Sequence, residues 1–419
     1  MRRLASTWLS RWDNSQLLRR LSALTSGTAI AQAIQLANLV ALAQLYSLTD
    51  VGVYSVFIAI VSTIVPVALL GYEILIPATT DEDLTAYLRA LLLLLLPITL
   101  LLAIAATLLS YSHLVGVSLW VAGAAIQRIG EMYNVRGNRF RLVVVAKLIG
   151  PLIMAGLLFS TVTLDQQDIS DLIILQAVFT LAFGVAYTAF SMPLRRVLAH
   201  HSWGRVFASL RKSANGPLYL MPSNLLNLAA YNVPVLVVGH WFGSEMAAQY
   251  AYVLRFGFGP VGLIGGTLYQ VFYGFLAEAT RVNDEKMFSQ FVRARRYIGY
   301  AALATGAGIG LIYPLAFLYI LGQEWDIAGW ISVIFAPFFA AMLYLTPLSV
   351  SLNVFSKQQY ELKTQAHYLI ISIISFGSAI LSNNVWVGYV MFSLLGCVRY
   401  AILLRDVNNV LIEHKVLSR

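Results

Sequence analysis

Apolar stretches, each about twenty residues long, recur along almost the whole chain and are parted by short polar breaks. That is the length a helix needs to cross a bilayer. The pattern predicts twelve spans, at 24–46, 51–77, 88–110, 114–136, 141–161, 170–193, 216–241, 246–276, 296–320, 327–353, 364–382 and 385–404. No stretch outside them is long enough for a separate soluble domain. Ahead of the first span, Leu4, Trp8, Leu9, Trp12, Leu17 and Leu18 sit among arginines, so residues 4–21 are expected to lie as a helix on the membrane surface. A cleaved leader is rejected, because Gln32, Gln35 and Asn38 interrupt the first apolar run.

Polar residues inside the spans are the informative exceptions. Gln32, Gln35 and Asn38 recur every three residues in the first span, and Asn224, Asn227 and Tyr231 do likewise in the seventh. Amides facing hydrocarbon would leave donors unpaired, so these must face protein or water. Two readings stay open: hydrogen bonds between helices, or a wet cavity. Arg255 lies in the eighth span, roughly 15 Å from its outer end at 1.5 Å per residue. Tyr252, Gly259, Gly262, Gly266, Tyr269 and Tyr273 share its helical face. Either small residues allow close packing beside a paired arginine, or they leave room for an anionic ligand such as a phosphate.

Composition and charge sharpen this. The chain has 419 residues, 59% hydrophobic and only 11% charged. A soluble domain carries about 25% charged residues, so the chain is read as a polytopic membrane protein. With both termini cytoplasmic, the segments 1–23, 78–89, 128–147, 193–215, 277–296, 354–363 and 399–419 hold 27 of the 28 lysines and arginines. The positive-inside bias is then complete, and Arg255 is expected to be the single cation that no interface claims. The longest inner linker, 194–216, divides the chain into an N-terminal lobe (1–200) and a C-terminal lobe (201–419). A shift of 196 residues lays Tyr54 over Tyr250 and hints at a repeat.

The remaining candidate chemistry is sparse. Glu73 is read in the inner half of the second span, as a titratable coupling acid, as the partner of a basic residue in the cavity, or as an interfacial glutamate that snorkels or caps. Arg128 and Glu131 are three apart and can pair on one helical face. Asp81, Glu82 and Asp83 read as a solvated loop, and the adjacent His200 and His201 as surface residues. The one cysteine, Cys397, permits no internal disulfide. No metal site, cofactor, nucleic-acid partner or catalytic motif is expected, and the chain is not read as an enzyme.

Four stretches carry a family likeness: 26–57 (SGTAIAQAIQ…), 71–83 (GYEILIPATTDED), 249–279 (QYAYVLRFGFGP…) and 313–337, with its Gly-x-Glu-Trp corner at Gly322, Glu324 and Trp325. Together they resemble the Wzx-type polysaccharide flippases of the multidrug/oligosaccharidyl-lipid/polysaccharide exporter superfamily. The resemblance implies an all-α bundle of twelve transmembrane helices in two six-helix lobes arranged as a V, working by alternating access in the bacterial inner membrane. It implies an undecaprenyl-diphosphate-linked oligosaccharide as passenger, membrane lipids as surroundings, and a polysaccharide polymerase and chain-length regulator as partners. Arg255 matches the arginine of the family's eighth span, and Glu73 the acid of the second. In the resulting scheme Arg255, joined by Arg128, attracts the diphosphate. Gln32, Gln35, Asn38, Asn224, Asn227, Tyr231 and Tyr252 line the path for the headgroup. The alternatives are a cation-coupled multidrug exporter of the same superfamily, against which the first and seventh spans offer amides instead of acids, and a membrane glycan polymerase or transferase.

Overall fold

The computed structural model describes residues 16–108, 112–137, 139–164, 168–198, 203–212, 221–282, 285–355, 357, 359–414 and 416. The expected surface helix lies outside them up to residue 15, as do His200 and His201. Among the described residues the chain is helical, with no strand. Twelve helices have 21 residues or more: α1 (Gln16–Leu45), α2 (Leu48–Ala68), α3 (Asp81–Leu108), α4 (Ser112–Arg136), α5 (Phe140–Leu164), α6 (Ile169–Ser191), α9 (Met221–Trp241), α10 (Ser244–Val282), α11 (Glu285–Ala316), α12 (Asp326–Leu348), α14 (Gln359–Ser382) and α15 (Val385–Glu413). Short helices α7 (Leu194–Leu198), α8 (Trp203–Lys212) and α13 (Val350–Val354) join them. Each long helix falls on one of the expected spans. Ten are long and apolar enough to cross a membrane; α4 and α9 are the other two, and they carry much of the intramembrane polar content. Many large apolar side chains stay exposed, Leu101, Phe159, Phe190 and Leu381 among them. Such surfaces belong in lipid, and the chain is a multi-pass membrane protein.

The chain divides into two compact units. One comprises residues 1–38 and 64–221, the other 39–63 and 222–419, so α1 and α2 each pass from one unit to the other along their length.

In the first unit α4 packs on α6 and α3 on α4. The α4–α6 crossing is backbone to backbone: a Cβ added at Gly184 would stand 2.2 Å from the Gly123 carbonyl oxygen. Only glycine permits that approach. Further along the same pair, Asn134 donates to Tyr187 Oη at 2.9 Å and to Ser191 Oγ at 2.7 Å. Asp81, Glu82 and Asp83, expected in a loop, form the first turn of α3 instead, and cations answer them: Arg136 pairs with Asp81, and Lys212 with Asp83 at 2.6 Å.

In the second unit α12 is central, packing on α10, α11 and α15. Its Phe335 and Phe338 meet Tyr250, Tyr368, Tyr389, Phe392 and Tyr400 in one aromatic core. Gly322, at φ +108°, turns the chain into a 3-10 turn (Gln323–Trp325) that buries Trp325 before α12 starts. Gln249 fastens this corner, donating to the Glu324 carbonyl at 3.1 Å and accepting from the Ala328 amide at 2.6 Å. The starts of α2 and α10 also meet. Thr49 donates to Glu245 at 3.0 Å, two positions 196 residues apart, and a Cβ at Gly52 would clash with the Ser244 carbonyl oxygen.

Candidate functional site

Arg255 is the twelfth residue of α10, a helix of 39 residues. It is half-buried. Among the described residues it has neither an ion-pair nor a hydrogen-bond partner. Its charge acts on the hydroxyls of Tyr231 and Tyr252. The glycines of its face look onto space: a Cβ at Gly259, Gly262 or Gly266 would meet no atom within 4 Å. The opposite face is closed, since a Cβ at Gly257 would fall 2.1 Å from the Phe339 ring. One helix therefore has a packed side and an open side, and the cation stands on the open one.

A second arginine shares the interior of this unit. Sequence alone assigns Arg399 to the inner end of the last span; the structure corrects this. The helix runs on to Glu413, and Arg399 sits at its midpoint, 7% exposed. Its Nε donates to the Thr364 carbonyl at 3.1 Å, and its guanidinium lies 4.5 and 4.8 Å from the ring centres of Tyr368 and Tyr400. The signal was present: five apolar residues (Tyr400–Leu404) follow Arg399 before Arg405, so the apolar run does not stop at 399. Arg255 is thus not the lone interior cation.

Arg399 lines a cavity of about 360 Å³ that also takes in Asn227, Tyr231, Tyr269, Gln365 and Tyr368. Asn227 and Tyr231 come from the polar stripe of α9, so two expected site residues do face a hollow. Asn224, on the same stripe, is half-buried. Tyr269 accepts a hydrogen bond from Asn353 Nδ2 at 2.6 Å. Tyr252 belongs to the packing instead: it is fully buried, donates to the Leu39 carbonyl at 2.9 Å and lies 4.3 Å from the Trp325 ring.

The stripe of α1 divides in the same way. Asn38 is buried and donates to the Pro151 carbonyl at 2.7 Å, which ties α1 to α5. Gln32 is half-buried and Gln35 exposed. In the first unit, Arg128 pairs with Glu131 at 3.3 Å, while Gln127 donates to the other carboxylate oxygen at 2.9 Å. The Arg128 side chain keeps 44% of its surface open. Glu73 is not in a regular span helix. After α2 the chain turns at Leu70 and Gly71, both at positive φ, and Glu73 sits in a 3-10 turn (Tyr72–Ala78). It is 4% exposed, and its Oε2 has no partner among the described residues. Burial pushes its carboxyl above the ordinary range; a backbone hydrogen bond and the Arg128 charge pull the other way. Among the described residues no group of His, Cys, Asp and Glu could hold a metal ion.

No protein-family model matches the chain, and no curated protein matches it in sequence. Solved structures do match. The lipid II flippase MurJ in an inward closed conformation superposes with a TM-score of 0.70 at 14% identity, over 94% of this chain and 91% of that one. An inward-facing multidrug resistance MATE family transporter of the MOP superfamily gives 0.64 at 13%, over 93% and 96%. The Vibrio cholerae MATE transporter VcmN gives 0.57 at 16%, over 96% and 97%. The fold is that of the twelve-helix, two-lobe exporters. At such identities the likeness is one of fold, which flippase and drug transporter share. Within this fold the chain carries two interior arginines on α10 and α15, amides on α1 and α9, and a buried acid beyond the end of α2.

Proposed function

We propose that this protein flips an oligosaccharide linked to undecaprenyl diphosphate from the inner to the outer leaflet of the bacterial cytoplasmic membrane, by alternating access of two lobes (1–200 and 201–419). The observation that carries this reading is Arg255, a permanent cation without a partner among the described residues, on the open glycine face of α10. An isolated arginine inside a membrane protein costs at least about 2.5–3.5 kcal/mol and marks a substrate pathway more often than a structural seam. A planar fork of donors suits a phosphate. Arg255 attracts the diphosphate. Arg128 assists from α4, because its pairing with Glu131 leaves much of it open. Gln32, Gln35, Asn224, Asn227 and Tyr231 offer hydrogen bonds to sugar hydroxyls, and the prenyl tail stays in lipid. Glu73 is the candidate coupling acid, since its burial favours proton uptake. Both termini are cytoplasmic in this reading, and a polymerase with its chain-length regulator consumes the unit outside.

The fold supports a multidrug exporter equally; the interior side chains favour the flippase reading. A cationic drug is repelled by Arg255 and finds no carboxylate on α1 or α9. Replacing Arg255 by Ala is expected to abolish surface glycan and trap lipid-linked units inside, with the protein inserted at normal levels. Lys, which keeps the charge and loses the fork, is expected to restore export only partly. Normal glycan in Arg255→Ala rejects the role. Drug efflux that depends on this chain, with glycan unchanged in a deletion strain, gives the protein to the other reading.

A further inference from the structure

Three polar groups on residues that line the cavity in the second unit lack partners among the described residues: Arg399 Nη1, Tyr368 Oη and Gln365 Oε1. Arg399 and Tyr368 are 7% and 5% exposed. A buried donor left unpaired costs about 1–3 kcal/mol, and more when it is charged. Three such groups on residues that line one hollow are therefore hard to account for by packing alone. The residues lining the cavity include no carboxylate. Among the described residues, the Arg399 charge is met by the Thr364 carbonyl, by the faces of Tyr368 and Tyr400 and by the Tyr400 hydroxyl.

We propose that this cavity is a second binding site, which takes a monoanionic, hydroxyl-bearing group of the uronic-acid type. Charge sets the first term. One buried guanidinium neutralises one negative charge, and a diphosphate would leave a further charge uncompensated beside it. Geometry sets the second. With Nε already committed to Thr364, the free Nη1 edge presents in-plane donors to a carboxylate. The rest of the wall sets the third. Hydroxyls and amides at Tyr368, Gln365, Thr346 and Asn227 alternate with aromatic rings, which suits a polyhydroxylated ring and not a plain hydrocarbon acid. The volume of about 360 Å³ lies at the small end of ligand pockets, room for a sugar unit. The assignment rests on the transport reading for the source of the ligand, an acidic sugar in the passenger; the chemistry of the cavity stands without it.

The test uses the full chain in detergent, following thermal unfolding by tryptophan fluorescence against sodium glucuronate, glucose and inorganic pyrophosphate. Glucuronate is expected to raise the Tm saturably, while glucose has no saturable effect. Arg399→Gln should weaken glucuronate about tenfold or more, as loss of a charge-assisted hydrogen bond implies. If Arg399→Gln does not fold, Gln365→Leu, which leaves the guanidinium in place, should weaken it about threefold to tenfold. Absence of saturable glucuronate binding to folded wild type overturns the proposal. So does binding unchanged in the folded cavity variants, or pyrophosphate stabilisation that is lost in Arg399→Gln. In each of those cases the transport reading would stand or fall on Arg255 alone.

Discussion

Glu73 shows how one buried side chain links fold and pH. Its folded carboxyl binds a proton more tightly than an exposed one, whose ordinary value is 4.5. A raised carboxyl contributes stability that is fully present below the ordinary value and is lost as pH rises through the raised one. At neutral pH the ionised group therefore works against the fold. Glu73→Gln is expected to raise the unfolding temperature at pH 7.5, with an advantage that shrinks as pH falls toward 4.5. A Tm difference that is flat with pH would show that the site is solvated or fully paired. The same substitution removes the proposed coupling proton, so it should slow transport while stabilising the protein. The expectation that Glu73 lies within a helical span missed the turn at Leu70–Gly71: Leu70 carries no turn chemistry in its side chain, yet it takes positive φ together with Gly71.

Among the elements, the α4–α6 crossing depends most on residue size. Gly123 and Gly184 let the two backbones touch, and a leucine at 184 has no space to move into. Gly184→Leu is expected to destabilise the protein by about 3 kcal/mol, the upper end for overpacking. The check is loss of detergent-stable, monodisperse protein compared with Gly156→Leu, where an added Cβ meets nothing within 4 Å. Equal behaviour of the two variants would mean the crossing is not tight. The existence of these helices was legible because a bilayer leaves the backbone no other way to satisfy its own donors and acceptors. Their faces were less so. Gln32, Gln35 and Asn38 form one stripe by spacing, yet Asn38 is bound to Pro151 while Gln35 is exposed. Tyr252 shares the nominal face of Arg255, yet it is spent on Leu39 and Trp325. A helix in a bundle meets several environments around its circumference, and a spacing of three or four residues does not say which neighbour lies there.

At the scale of the whole molecule, twelve long helices and the exporter fold were both legible from apolar run lengths and the order of the motifs. The interior of the second unit was not. Arg399 hid among the inner-end cations because a charge near the end of an apolar run looks interfacial until the helix is seen to continue past it. Its partners Tyr368 and Gln365 lie on another helix, with no local signal to join them. In the proposed transport an anionic glycolipid headgroup passes fixed interior cations. The most direct measurement places the full chain in proteoliposomes with a fluorescent undecaprenyl-diphosphate-linked oligosaccharide and adds a membrane-impermeant quencher outside. Wild-type protein is predicted to let the quencher reach the label of both leaflets, and Arg255→Ala, reconstituted at the same density, only that of the outer leaflet. Quenching confined to the outer leaflet with wild-type protein, or equal quenching with the two proteins, would contradict it.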